Sequence, residues 1–249
     1  MVLPYAIARA VATGIGTVFT LWFTLRRFGV AFHLPTIRRA LRESVPFAVS
    51  MALTLLYGRA DIAIVASTLG TEAAGFYAPA VSLILALALA PAAVYGVMLP
   101  AMSRVYAKNP PALTGLAKRL MGGNALLGLI LGLLVLLLAR PIVQLLYGPG
   151  YELSGELLQI LSGVLLLRTV SFGLAAAVVA VGLQGKRVII QALAAIFNIS
   201  INLLIVYQYG LTGVALVYCL SEAVLMLGYG FLFVRWQRTT NQSSALAAL

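Results

Sequence analysis

The sequence predicts an all-α fold, a polytopic membrane helical bundle with seven transmembrane helices. Three observations carry this. The 249 residues are 62% hydrophobic and only 9% charged, with a mean hydropathy of +1.04, whereas soluble domains carry about 25% charge. Seven apolar runs reach the ~20 residues that cross a hydrocarbon core as helix. Basic residues gather in alternate loops, as they do on the cytoplasmic face of membrane proteins. Helix is the expected spanning element because it satisfies every backbone N–H and C=O within its own segment. The runs lack period-2 alternation, which argues against a β-barrel.

The first run, Tyr5–Leu25, has no charged leading region and no small-residue cleavage site before a soluble domain. It reads as a spanning helix of a leading domain (1–30), not as a signal peptide. Residues 31–45 are basic and contain Pro35. They read as a cytoplasmic linker or a helix lying on the membrane surface. Pro46–Ser67 opens a six-helix bundle assigned to 46–236. Ala74–Pro100 follows; its Pro79 and Pro91 each remove a backbone hydrogen bond and permit a kink. Leu120–Ala139 carries Gly128 and Gly132 at the small-xxx-small spacing that lets another helix approach closely. Leu157–Leu183, Val188–Tyr209 and Leu211–Trp236 complete the bundle. The tail, 237–249, is expected to fray. Cys219, the one cysteine, lies in an apolar run and reads as a small packing residue.

Arg26, Arg27, Arg38, Arg39, Arg42, Arg104, Lys108, Lys118, Arg119, Lys186, Arg187, Arg235 and Arg238 fall on one side of this arrangement, thirteen of the 17 basic residues. The opposite loops carry Glu72, Glu152 and Glu156 against Arg140, with Arg9 near the outer end of its helix. The expected topology places the N-terminus outside and the C-terminus in the cytoplasm. The net charge of +11 is thus a topological signal and an attraction to anionic membrane lipids, and no nucleic-acid partner is expected.

Four charges lie inside the apolar runs: Arg59, Asp61, Arg168 and Glu222. Each costs roughly 2.5–3.5 kcal/mol near a bilayer centre unless it meets a partner or a wet cavity. A helical rise of ~1.5 Å per residue puts all four within about 7 Å of the midplane. Asn198 and Asn202 share that slab, one helical turn apart. Asp61 with Arg168, and Arg59 with Glu222, are the expected pairs. Two readings stay open: buried structural salt bridges, or the lining of a cavity that meets a ligand. Two arginines suit an anionic group such as pyrophosphate, and two acids suit a coupling proton or Na⁺. Asn198 and Asn202 read as interhelical hydrogen-bonding groups or as ligands. No catalytic constellation appears. His33, the single histidine, sits in the basic loop, and the sequence holds neither a metal-ligand cluster nor a glycine-rich phosphate loop. Neither enzymatic activity nor a cofactor is expected.

Leu41–Ala107 resembles bacterial polysaccharide flippases of the Wzx type, members of the MOP superfamily together with the MATE drug exporters and the MurJ lipid II flippase. The residues that carry the resemblance are Pro46, Asp61, Gly70, Gly75-Phe76-Tyr77 and Pro100. LLYGPGYELSGELLQIL (Leu145–Leu161), Asn198, Asn202 and YGLTGVALVYCLSE (Tyr209–Glu222) extend it. The resemblance implies two helical bundles around a cavity that opens alternately to either side of the bacterial inner membrane. It also implies the substrate, an oligosaccharide on undecaprenyl pyrophosphate, as in O-antigen assembly. Arg59 and Arg168 are then the candidates for its anionic part, and Asp61 holds the best-matched position. Family chains have 12 to 14 helices. This chain therefore reads as the second lobe plus one preceding helix, working with a missing N-terminal half or a second copy. The alternatives are a MATE-like cation-coupled drug exporter relying on Asp61 and Glu222, and a non-transporting membrane scaffold subunit with its charges paired and dry.

Overall fold

The structure, a computed structural model, describes residues 2–28 and 33–246, with side chains except those of 2–6, 8–9, 28 and 241–246. The start of the expected linker and the last residues of the expected tail lie outside the described residues, as does the Arg9 side chain. Among the described residues there is no strand. The helices are α1 (Val2–Phe28), α2 (Leu34–Thr68), α3 (Thr71–Leu87), α4 (Leu89–Lys108), α5 (Pro110–Tyr147), α6 (Glu152–Ala180) and α7 (Gln184–Leu246).

By contact the chain divides into two units, residues 1–45 and 46–249. In the first, α1 turns its threonines back on its own carbonyls, with Thr17 Oγ1 donating to Thr13 O at 2.9 Å and Thr20 Oγ1 to Gly16 O at 2.8 Å. His33 Nδ1 lies 2.9 Å from Thr36 Oγ1, at the start of α2. Residues 34–45, expected as a linker or a helix on the membrane surface, are helical and form the first turns of α2. Pro35 falls in the first turn, where its missing N–H is not needed, and Arg39 and Glu43 pair one turn apart at 2.8 Å.

In the second unit, successive segments fold back on one another. Tyr77 on α3 reaches Asp61 on α2 across the turn at Gly70, whose φ of 92° suits glycine. Asn124 on α5 reaches Met98 on α4. Asn198 and Ser221, both on α7, meet at 3.2 Å. That contact is feasible only because α7 is broken at Gly210 (φ 55°, ψ −148°). An unbroken helix of 63 residues would be about 95 Å long, three times a bilayer core of about 30 Å. The tail expected to fray instead continues α7 to Leu246.

Helices α3 and α4 meet at Ala88. Pro91 has no N–H for the Leu87 carbonyl one turn back, and the ladder opens there. Pro79, Pro46, Pro100 and Pro141 sit inside helices that continue through them.

Among the described residues, five helical stretches are long and apolar enough to cross a membrane: Leu34–Thr68, Thr71–Lys108, Pro110–Tyr147, Glu152–Ala180 and Gln184–Thr240. The predicted count was seven. The first predicted segment lies on α1, which is not among the five, and the last two share α7. An all-α, multi-pass membrane bundle accounts for this architecture.

Helix α6 is the hub, packing on α3, α4, α5 and α7. Its most apolar window is 56% buried, against 22–28% for the other four stretches. Close approach of α5 depends on the predicted glycines. A methyl at Gly128 would lie 2.9 Å from Leu166 Cα, and one at Gly132 would lie 3.2 Å from Ser162 O.

A polar layer between two apolar cores

Two apolar cores occupy the second unit. One contains Tyr77, Val81, Val135, Leu157, Leu161, Leu165, Val214 and Tyr218. The other contains Met98, Met102, Leu113, Val178, Tyr229 and Phe233. Each of α5, α6 and α7 passes from one core to the other, and each carries polar residues at the crossing: Asn124, then Arg168 to Ser171, then Asn198, Asn202, Ser221 and Glu222.

Arg168 and Glu222 meet in this layer. Arg168 Nε donates to Glu222 Oε1 at 3.0 Å, and Arg168 Nη2 donates to the same oxygen and to Tyr218 Oη at 2.8 Å. The guanidinium lies 5.4 Å from the Tyr218 ring centroid. The side chains are 11% and 3% exposed, so solvent screens the pair little. Tyr57 packs on Tyr218 at 5.5 Å and donates to its carbonyl at 3.5 Å.

Asp61 does not pair with Arg168. Its Oδ1 accepts from Asn202 Nδ2 at 2.9 Å and its Oδ2 from Tyr77 Oη at 3.4 Å. Asn202 Nδ2 also reaches Asn198 Oδ1 at 3.4 Å, and Asn198 Nδ2 donates to Ser221 Oγ. Asp61, Asn198, Asn202, Ser221 and Glu222 are all buried. Asn202 Oδ1 is buried without a partner.

Arg59 lies outside the cluster. It is exposed on α2, and no hydrogen bond or ion pair engages it among the described residues. The expected Arg59–Glu222 pair does not form because Arg168 already occupies Glu222. The helix turns ~100° per residue, so Gly58, which lines the cavity described next, and Arg59 point different ways.

A cavity of about 250 Å³ opens beside the ion pair. Its lining includes Arg168, Glu222, Ser171, Arg187, Gln191 and Tyr229, and the α3–α4 break at Ala88 forms one wall. At ~30 Å³ per molecule it has room for about eight waters.

Reading the sequence assigned no site role to Tyr77, Tyr218, Ser221, Arg187 and Gln191, and placed Arg187 in a cytoplasmic loop. A signal existed for some of them. Tyr218 sits one turn before Glu222, and Gln184, Arg187 and Gln191 form a polar stripe at helical spacing.

Residues 5–155 match the sequence model of a family described as polysaccharide biosynthesis protein. Arg59 and Asp61 fall inside the matched stretch; Arg168, Asn198, Asn202 and Glu222 follow it. No curated protein and no solved structure gives a significant match.

Proposed function

The chain belongs to the polysaccharide biosynthesis protein family, and from that premise we propose that it is a flippase for oligosaccharides carried on undecaprenyl pyrophosphate. In this reading it is a transporter and not an enzyme. It crosses the bacterial inner membrane seven times, with its N-terminus outside, and forms the second lobe of a MOP-type exporter plus one preceding helix. The clustering of basic residues such as Arg26, Arg27, Arg104 and Lys108 in alternate loops supports that orientation.

The observation that carries the proposal is the buried layer itself. Charged and amide groups from α2, α6 and α7 converge between two apolar cores, and Arg168, Glu222, Arg187 and Gln191 of α6 and α7 border a cavity, whereas Asp61, Asn198 and Asn202 do not line it. Intramembrane ionisable groups of this kind mark substrate and ion pathways. The cavity of about 250 Å³ falls below the ~300–1,000 Å³ of pockets that enclose drug-sized ligands. An oligosaccharide is larger, so its sugars would travel along the open face of the bundle. Arg59 is exposed on α2, and a bare charge at that depth calls for a polar partner. A second bundle, from an N-terminal half or another copy, would cover that face and leave Arg59 bordering the shared path.

A coupling proton or Na⁺ fits the Asp61 cluster. Asp61, Asn198, Asn202 and Ser221 offer oxygens, the donor type that hard cations prefer, and the unpartnered Asn202 Oδ1 faces no protein donor. Drug export by free carboxylates draws less support, because Glu222 is tied to Arg168.

The test is made in cells whose surface polysaccharide depends on the gene. Arg168→Ala and Glu222→Ala, at normal membrane abundance, are expected to abolish surface polysaccharide and to accumulate the lipid-linked intermediate. Unchanged polysaccharide in both variants overturns the proposal.

A further inference from the structure

The cavity holds a second guanidinium that has no counter-charge among the described residues. Arg187 lies in the first turns of α7, and its Nη1 donates to Gln184 Oε1 at 3.3 Å. Its Cζ sits 5.9 Å from the Tyr95 ring centroid and 5.7 Å from that of Tyr229. Its Nε is buried and finds no acceptor. Ser171, on the α6 wall of the same cavity, is 5% exposed, and its Oγ is likewise buried without a partner. Glu222 is the one carboxylate in the lining, and Arg168 holds it. Two turns of α7, about 10 Å, separate Glu222 from Tyr229.

We propose that Arg187, held between Tyr95 and Tyr229, forms with Ser171 a seat for a phosphoryl anion in this cavity. Arg187 is half-buried, and a cation partly withdrawn from water favours a counter-charge; a guanidinium offers a planar fork of donors that matches phosphate oxygens bidentately. The Ser171 hydroxyl supplies a further donor. A phosphoryl group has enough oxygens for all of them, whereas a carboxylate has two. The size of the cavity suits a head group. Arg168, neutralised by Glu222, is not the cation that meets the ligand here. The physiological donor, the diphosphate of a lipid-linked saccharide, rests on the flippase reading; the seat itself does not.

The test uses the full chain in phosphatidylcholine nanodiscs, titrated calorimetrically with farnesyl diphosphate and, as the phosphate-free control, farnesol. Arg187→Lys keeps the charge and loses the fork, and Ser171→Ala removes one donor. With melting transitions unchanged, Arg187→Lys is expected to weaken farnesyl diphosphate at least tenfold and Ser171→Ala about threefold, with farnesol unaffected. Repetition in phosphatidylglycerol nanodiscs separates the sources. Arg187-dependent competition by that lipid supports the seat and assigns it to a bulk phospholipid head group. Equal affinity in wild type and Arg187→Lys, or no saturable farnesyl diphosphate binding by the wild type, overturns the proposal. Arg187-dependent binding in a strain that exports normally without Arg187 leaves the seat standing and removes its link to export.

Discussion

Arg168 and Glu222 stabilise the bundle only as a pair. Removing one partner leaves the other charged and buried, so Arg168→Ala or Glu222→Ala should each cost about 3–5 kcal/mol. Denaturant unfolding in micelles would measure this. The double substitution Arg168→Met with Glu222→Leu should recover most of that loss, since apolar replacement of a buried pair is often neutral, while export stays abolished. Asp61→Asn is a different experiment. It keeps the shape and the contact with Asn202 but deletes the charge. If Asp61 holds the coupling ion, export should fall at least tenfold while the melting temperature barely moves; unaltered export would remove Asp61 from that role. The charges in apolar runs were legible in the sequence because such residues are rare, although Arg59 proves to be exposed. Their partners were not. Pairing depends on which helices are neighbours and on the azimuth of each residue, and Arg59 and Asp61, two positions apart, fall on opposite sides of α2. Tyr77 and Tyr218 lie in stretches that carry the family resemblance, but the contacts of their hydroxyls with Asp61 and Arg168 emerge only when the helices are assembled.

Two glycines serve their helices for different reasons. Gly210 has open space around its α-carbon but a φ of 55° with ψ of −148°, so Gly210→Ala acts through backbone strain alone, about 1–3 kcal/mol. Gly128 has helical geometry but no room, so Gly128→Leu should force α5 from α6 and cost at least 1–3 kcal/mol by overpacking. Thermal unfolding of both variants, with cross-linking between α5 and α6, tells them apart: only Gly128→Leu should lower the cross-linking yield. The helical segments themselves were legible, since hydropathy and length speak directly to burial in lipid. Their boundaries were less so. The basic stretch with Pro35 leaves a linker and a surface helix both open and Pro46 marks a helix start, yet Pro35 sits in a first turn and Pro46 inside a helix that continues through it. Pro91 did announce a break, which falls one turn earlier at Ala88.

For the molecule as a whole, the face bearing Arg59 is the most informative surface. Arg59→Cys, in a Cys219→Ser background, should react with a membrane-impermeant maleimide in native membranes if a hydrated path borders it. Absence of labelling there, with labelling at loop positions, would place Arg59 against lipid and argue against a second bundle. The hub position of α6 also has a bearing on biogenesis. Arg168 precedes Glu222 by 54 residues, and ribosomes add about 5–20 residues per second. For roughly 3–11 s, then, a newly made α6 carries an uncompensated guanidinium while its counter-ion is still being synthesised. The nascent chain must delay lateral release of α6 from the insertion machinery, or be shielded by a chaperone, until the second half of α7 emerges.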